Sequence, residues 1–83
     1  MVLKRNGNTL YTPDPSVTYL ICERKPKKGK PAPKYLLKKK GKETTYISSL
    51  YGSGSVFNLD YQGKYYELSL TDTEALLEEV VYV

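Results

Sequence analysis

The clearest pattern in this chain is the alternation of apolar and polar side chains on both sides of Gln62-Gly63. A period of two is typical of β-strands, and glycine adopts a positive φ at little cost in a two-residue hairpin loop. With Gln62-Gly63 as the loop, the apolar face pairs Phe57–Leu68, Leu59–Tyr66 and Tyr61–Lys64, and the polar face pairs Asp60–Tyr65, Asn58–Glu67 and Val56–Ser69. A shift of one residue would mix the faces, so the pattern predicts a β-hairpin in this register.

Strand-like segments also occur earlier in the chain, separated by glycine- and proline-containing breaks. The predicted strands are residues 2–5, 8–11, 16–24, 34–40 and 44–51. Asn6-Gly7 is predicted to be the turn between the first two, because this dipeptide favours tight hairpins. Pro13 and Pro15 interrupt the chain before the third strand, since each removes a backbone donor. Gly52-Ser53-Gly54-Ser55 is predicted to be a flexible joint.

The end of the chain changes its period and predicts a short helix over residues 72–79. Thr71 precedes Glu74 by three residues, which is the spacing of a capping box, and acidic residues suit the first turn of a helix. Apolar residues at 75–77, 80 and 81 would bury one side of this helix. The β-branched tail, residues 80–83, is alternatively a final strand.

These elements predict a mainly β fold of five to six short strands with one short C-terminal helix. An SH3-like or OB-like barrel, or a twisted antiparallel sheet, fits this description, because closure protects strand edges. The alternative is an α+β sheet covered by the helix. The 83 residues are enough for one domain, spanning 1–83, and residues 25–33 are predicted to be an exposed basic loop because they combine three prolines, one glycine and four lysines.

Composition argues against an enzyme. The chain has no His and one Cys, so it lacks the commonest general base and metal ligand and cannot form an internal disulfide. Cys22 lies in an apolar segment and is predicted to be a packing residue. We therefore expect no catalytic residues, metal or cofactor. A lone Cys and the lack of an apolar run long enough for a membrane span lead us to expect a cytoplasmic protein with no membrane partner.

The formal net charge of +4 conceals a strong asymmetry along the chain. Residues 1–42 carry twelve Lys or Arg against two Asp or Glu, a net charge of +10, whereas residues 43–83 carry one Lys against seven Asp or Glu, a net charge of −6. Such polarity indicates an anionic partner for the basic half. A solvated surface loop would also account for a run of lysines.

A nucleic acid, or a nucleoprotein complex, is the first partner that this charge predicts. Lysine contacts phosphate as a point charge without reading bases, so binding would be largely independent of sequence and steeply dependent on salt. Tyr35 adjoins the lysines and could stack on a base, whereas Tyr19 and Tyr66 are predicted to be core residues. The candidate nucleic-acid-binding residues are Arg24, Lys25, Lys27, Lys28, Lys30, Lys34, Tyr35, Lys38, Lys40 and Lys42.

The alternative is a small protein-interaction module. It would be a subunit of a larger complex, or a phage- or virus-encoded inhibitor of a host nucleoprotein machine. Small size and the lack of catalytic groups fit this class, and the acidic half would then face a basic partner. The candidate residues for this contact are Asp60, Tyr65, Glu67, Glu74 and Glu78.

Overall fold

The protein is a closed antiparallel β-barrel of eight strands. This computed structural model describes residues 1–30 and 32–81, with the backbone alone at residue 53. The strands are β1 (Val2–Asn6), β2 (Thr9–Tyr11), β3 (Val17–Glu23), β4 (Lys34–Lys40), β5 (Glu43–Ser53), β6 (Val56–Tyr61), β7 (Lys64–Leu70) and β8 (Glu74–Glu79). Each strand pairs with the next along the chain, and β8 pairs with β1 to close the sheet.

A mainly β barrel is confirmed, but the predicted count of five to six strands is wrong. The eight-stranded meander also differs from an OB-fold, which has five strands in Greek-key order. The short strand β2 and the closing strand β8 account for the larger number. Within residues 1–30 and 32–81 there is no helix that is long and apolar enough to cross a membrane.

The predicted C-terminal helix over residues 72–79 is wrong, because residues 72 and 73 belong to the β7–β8 turn and residues 74–79 form β8. An isolated helix of eight residues is marginal in water, whereas a strand here supplies hydrogen-bond partners to both β7 and β1. The capping-box spacing serves the β7–β8 turn instead: the Glu74 backbone N–H donates to Thr71 Oγ1 at 3.0 Å. Of the proposed final strand, Val80 and Val81 lie outside any strand, and residues 82 and 83 lie outside the described residues.

The β6–β7 hairpin is confirmed in the predicted register. Phe57 pairs with Leu68 and Leu59 with Tyr66, and the polar pairs fall on the outer face. Gln62 and Gly63 have φ angles of 52° and 75°, which is the pattern of a type I′ turn. Local side-chain alternation and turn chemistry therefore determine this element.

Two turn predictions need correction. The first turn is Gly7-Asn8 rather than Asn6-Gly7, because Asn6 pairs with Thr9; a φ of 62° at Gly7 suits glycine as the first residue of a type II′ turn. The joint predicted at residues 52–55 is a tight hairpin connection, since residues 52 and 53 belong to β5 and the ladder pairs residue 53 with Val56. Glycines here permit close backbone approach rather than a flexible link.

Inward-facing side chains from all eight strands fill the barrel. The largest fully buried ones are Leu3, Leu10, Leu36, Leu59 and Leu68. Because consecutive strands run in opposite directions, the connections alternate between the two ends of the barrel. We call the end with the connections at residues 7–8, 24–33, 54–55 and 71–73 the loop end, and the end with those at 12–16, 41–42 and 62–63 the mouth end.

Candidate nucleic-acid interface

The structure describes residues 24–30, 32 and 33 of the predicted basic loop, here taken to include Arg24, and they lie at the loop end between β3 and β4. The Arg24 backbone N–H donates to the Pro33 carbonyl at 2.8 Å and closes the base of the loop. Within it, the Lys30 N–H donates to the Lys27 carbonyl at 3.0 Å, forming a tight turn in which Gly29 has a φ of 80°. Residues 24–30 are all exposed. The loop therefore holds its cations on a hydrogen-bonded frame.

Four cationic residues surround one concavity on this loop. It has a volume of about 350 Å³ and is lined by Arg24, Lys25, Lys27 and Lys30, with Pro33 as its apolar wall. No carboxylate lines it, and among the described residues none of these four cations forms an ion pair. The concavity is therefore suited to an anion with several acceptor oxygens, such as a phosphate group.

An aromatic patch adjoins the basic loop on the outer face of the barrel. Its members are Arg24, Tyr35 and Tyr46, and the two tyrosine ring centroids lie 6.0 Å apart. The Arg24 guanidinium carbon lies 4.8 Å from the Tyr35 ring centroid and 6.0 Å from that of Tyr46, both within range of a cation–π contact. Tyr46 is 49% exposed, so much of its ring is open to solvent.

Tyr46 was not among the residues predicted from the sequence, and a β-bulge explains why. Leu36 pairs with Ser48, but its neighbour Leu37 pairs with Tyr46, so Ile47 is the extra residue of β5. Regular alternation would have placed Tyr46 opposite Lys38, on the inner face. The bulge instead brings Tyr46 to the outer face beside Tyr35, and nothing in the local sequence marks its position.

Lys34 and Tyr51 extend the loop end toward the β5–β6 connection. A second concavity of about 510 Å³ is lined by both of them, together with Lys30 and Phe57. The Lys34 ammonium lies 5.3 Å from the Phe57 ring centroid and 3.8 Å from a carboxylate oxygen of Glu23. This ion pair is solvent-exposed and contributes little to stability.

The structure divides the predicted basic residues between the two ends of the barrel. Lys38, Lys40 and Lys42 belong to the mouth end: Lys38 and Lys40 lie about 13 and 20 Å along β4 from Lys34 at the usual strand rise, and Lys42 lies in the turn beyond. Lys38 lines a cavity inside that mouth, and Lys40 and Lys42 are exposed around the β4–β5 turn. Lys28 is exposed on the basic loop but does not line its concavity. The remaining candidates lie together at the loop end.

The acidic candidates lie on the opposite wall of the barrel, formed by β6, β7 and β8. Glu67 and Glu78 are directly opposed cross-strand neighbours, and Asp60 and Tyr65 are paired on the same outer face. Glu74 begins β8 at the edge of this wall, where it pairs with Lys4 of β1. The lysines of the β3–β4 connection and the acidic pair Glu67–Glu78 thus lie on different sides of the barrel.

The residues predicted to be structural occupy partly buried positions. Tyr19 and Tyr66 pack against the core, and Cys22 is half-buried on the outer face opposite Tyr35. Among residues 1–30 and 32–81, no three His, Cys, Asp or Glu side chains are grouped to hold a metal ion.

Comparison with protein-family models, with curated proteins and with solved structures found no match to this chain.

Proposed function

We propose that this protein is a non-enzymatic nucleic-acid-binding protein that contacts single strands through its loop end, largely without reading sequence. The observation that carries the proposal is the concavity lined by four unpaired cations beside two exposed or half-exposed tyrosine rings. A positively charged groove with an adjacent stacking platform is the usual design for single-strand binding. We propose that the protein acts in the cytoplasm, because Cys22 is a free thiol and thiols stay reduced there.

In this proposal the basic loop and the aromatic patch contact different parts of the nucleic acid. Lys25, Lys27 and Lys30 neutralise the phosphates, which releases counterions and supplies most of the affinity. Tyr46 stacks on a base, since its ring is the more exposed of the pair and Arg24 covers Tyr35. Every base has a π face, so neither contact selects a sequence.

The decisive experiment compares two triple charge reversals that change the net charge equally. Lys25→Glu, Lys27→Glu and Lys30→Glu together remove the loop-end cations, whereas Lys40→Glu, Lys42→Glu and Lys64→Glu change exposed residues at the mouth end. We expect the first variant to lose at least about 100-fold in affinity for a fluorescent single strand of about 12 nucleotides, measured by anisotropy, and the second to lose less than about fivefold. Equal losses, or no binding by the native protein at low salt, would refute a loop-end site.

Substitution of Tyr46 tests the stacking contact. Tyr46→Ala should weaken single-strand binding by about tenfold, because base–aromatic stacking contributes roughly 1–3 kcal/mol. Tyr46→Phe is the matched control, since it keeps the ring and removes only the hydroxyl that bonds to Ser49 Oγ at 2.8 Å. A loss that is as large in the Phe variant would assign the effect to that hydrogen bond.

A second candidate function is binding of a basic protein partner by the wall of β6, β7 and β8. The observation that favours it is the direct opposition of Glu67 and Glu78, which is unfavourable in the free protein and would be relieved by a cation between them. Glu67→Gln with Glu78→Gln should weaken binding of a fluorescent Lys/Arg-rich peptide. Glu23→Gln with Glu43→Gln, which changes exposed residues of β3 and β5 away from this wall, should not.

A further inference from the structure

The mouth end of the barrel contains a cavity that nucleic-acid binding does not use. Its volume is about 200 Å³, and Leu36 and Leu59, both almost fully buried, form its floor. Three tyrosines and one lysine also line it: Tyr19, Tyr61, Tyr66 and Lys38. The interior of an eight-stranded barrel is wide enough either to be filled by side chains or to hold one small ligand. In this barrel the side chains leave a cavity at the mouth end.

Strand pairing places these four residues on inward-facing positions around the same cavity. Tyr19 of β3 is the cross-strand neighbour of Lys38 on β4, and Tyr66 of β7 is the neighbour of Leu59 on β6. Tyr61 lies two residues beyond Leu59 on the same face of β6. The four side chains therefore line one cavity together with the aliphatic side chains of Leu36 and Leu59.

These polar tips are donors without partners within the described residues. None of the three tyrosine hydroxyls forms a hydrogen bond there, and Lys38 forms no ion pair. Burial raises the pKa of Tyr19, and the adjacent Tyr61 and Tyr66 raise it further, so the Tyr19 hydroxyl keeps its proton. No carboxylate lines the cavity, although Glu79 is the cross-strand neighbour of Tyr66 at the rim.

The size of the cavity limits the apolar part of a ligand. A dry cavity of about 150 Å³ in another protein holds one benzene molecule, so 200 Å³ accommodates a single ring with a short polar substituent. A carboxylate is the substituent that matches the rim, because it is negatively charged and only accepts hydrogen bonds. The leucine side chains, the aromatic rings and the Lys38 ammonium together favour an amphipathic anion.

We propose that the mouth cavity binds small single-ring aromatic carboxylates, with the ring on the leucine floor and the carboxylate against the Lys38 ammonium and the tyrosine hydroxyls. This site is independent of the loop end, which lies at the other end of β4. The ammonium supplies the charge contact, and the hydroxyls orient the carboxylate through hydrogen bonds.

Calorimetric titration with phenylacetate and with its neutral analogue phenylacetamide tests this proposal. We expect phenylacetate to bind the native protein with a Kd of about 0.1–1 mM, because a ligand with so few non-hydrogen atoms can form only a limited number of contacts. Phenylacetamide should bind at least about fivefold more weakly. Lys38→Met should weaken phenylacetate about tenfold and leave phenylacetamide within about twofold. No binding of phenylacetate, or equal affinities for both compounds, would overturn the proposal.

Two further variants separate a ligand contact from a loss of structure. Lys34→Met makes the same chemical change at the loop end and should leave phenylacetate affinity unchanged. Tyr66→Phe keeps the ring but removes one donor, so it should weaken phenylacetate about threefold with little change in melting temperature. Equal loss of affinity in Lys34→Met and Lys38→Met would show that net charge alone attracts the anion, which contradicts a mouth site.

The loop-end triple reversal distinguishes failure of this proposal from failure of nucleic-acid binding. Lys25→Glu, Lys27→Glu and Lys30→Glu should abolish oligonucleotide binding and leave phenylacetate binding intact. An oligonucleotide that displaces phenylacetate from the native protein would contradict two separate sites. Decanoate, whose chain exceeds the cavity, should bind more weakly than phenylacetate; tighter binding would replace the aromatic class by an aliphatic one.

Discussion

The two ends of the barrel use the same strand and the same residue type in opposite ways. At the loop end, Lys34 and the neighbouring lysines of the basic loop lie around open concavities. At the mouth end, Lys38 lies among tyrosine rings over an aliphatic floor. Exposed, clustered cations suit a polyanion that contacts many charges, whereas one cation in an apolar setting suits a small anion. The surroundings of a lysine, rather than its charge, thus determine what it can select.

Both ends of the barrel are held by the same hydrophobic core, so a core substitution should have the largest effect on stability and should affect both ends. Leu68 is completely buried, and Leu68→Ala should lower the free energy of unfolding by about 3–4 kcal/mol because of the lost burial and the cavity. Leu76→Ala, a half-buried residue on the outer face, should cost about 1 kcal/mol or less. Urea denaturation measures both. Similar losses would mean that Leu68 is not a central core residue.

Glycine substitutions at the two ends should differ in cost. At Gly52 a Cβ would lie 2.8 Å from the Val56 carbonyl oxygen, and its φ is 124°, so Gly52→Ala should lower the free energy of unfolding by about 3 kcal/mol. Gly63, at the mouth end, has a φ of 75° and no atom within 4 Å of an added Cβ. Gly63→Ala should therefore cost only about 1 kcal/mol. Equal destabilisation would show that backbone conformation, not the close approach, dominates at Gly52.

Salt should separate the ligands of the two ends. With about three phosphates neutralised by Lys25, Lys27 and Lys30, single-strand affinity should fall about 20-fold between about 0.05 and 0.2 M salt. Phenylacetate binding involves one charge pair that is partly shielded from solvent, so its affinity should change less than about threefold. Anisotropy and calorimetry over one salt series measure the two slopes. Parallel slopes would indicate that both ligands share one surface.

The smallest effect concerns the 12–16 connection at the mouth end. The Ser16 hydroxyl and then the Ser16 N–H, which donate to Asp14 Oδ1 at 2.7 and 3.0 Å, lower the pKa of Asp14. Because the folded pKa lies below the unfolded value, the ionised carboxylate stabilises the fold above about pH 4, and this contribution disappears as the pH falls through the folded pKa.

Melting temperature against pH measures that contribution. Asp14→Asn should melt slightly below the native protein at neutral pH, and the difference should vanish in acid. Asp72→Asn, at the loop end, is the control, since its carboxylate has no hydrogen bond among the described residues. A constant difference between native protein and Asp14→Asn at all pH values would contradict a titrating carboxylate.

Local information predicts the β6–β7 hairpin and its register because alternation and turn chemistry agree within 15 residues. It fails for β8, whose residues favour a helix in isolation and become a strand only because β1 and β7 both present unpaired edges. The helix propensity of a short segment stabilises it less than the backbone hydrogen bonds that β8 forms with β1 and β7 when the barrel closes.

The basic loop could be located from its lysines and prolines, but its functional geometry could not. Charge counting grouped Lys38, Lys40 and Lys42 with the loop, although an antiparallel strand carries them to the other end. The bulge at Ile47 reverses the facing of Tyr46, so a strict alternation rule assigns that ring to the wrong side. The first error concerns the end of the barrel at which a residue lies, the second concerns the face of the sheet, and neither concerns which residues form strands.

Closure of the sheet between β1 and β8 has a consequence for how the chain folds. Seven of the eight strand pairings join sequence neighbours, and hairpins of that kind form within microseconds. The last pairing joins Leu3 to Ala75, and the Arg5 side chain donates across the same seam to the Thr71 carbonyl at 2.8 Å. Closing this seam brings together residues from opposite ends of the chain, which costs more conformational entropy than closing a hairpin. We therefore expect seam formation to limit the folding rate. Substitutions at the seam should slow folding more than substitutions in the β6–β7 hairpin that lower the free energy of unfolding equally.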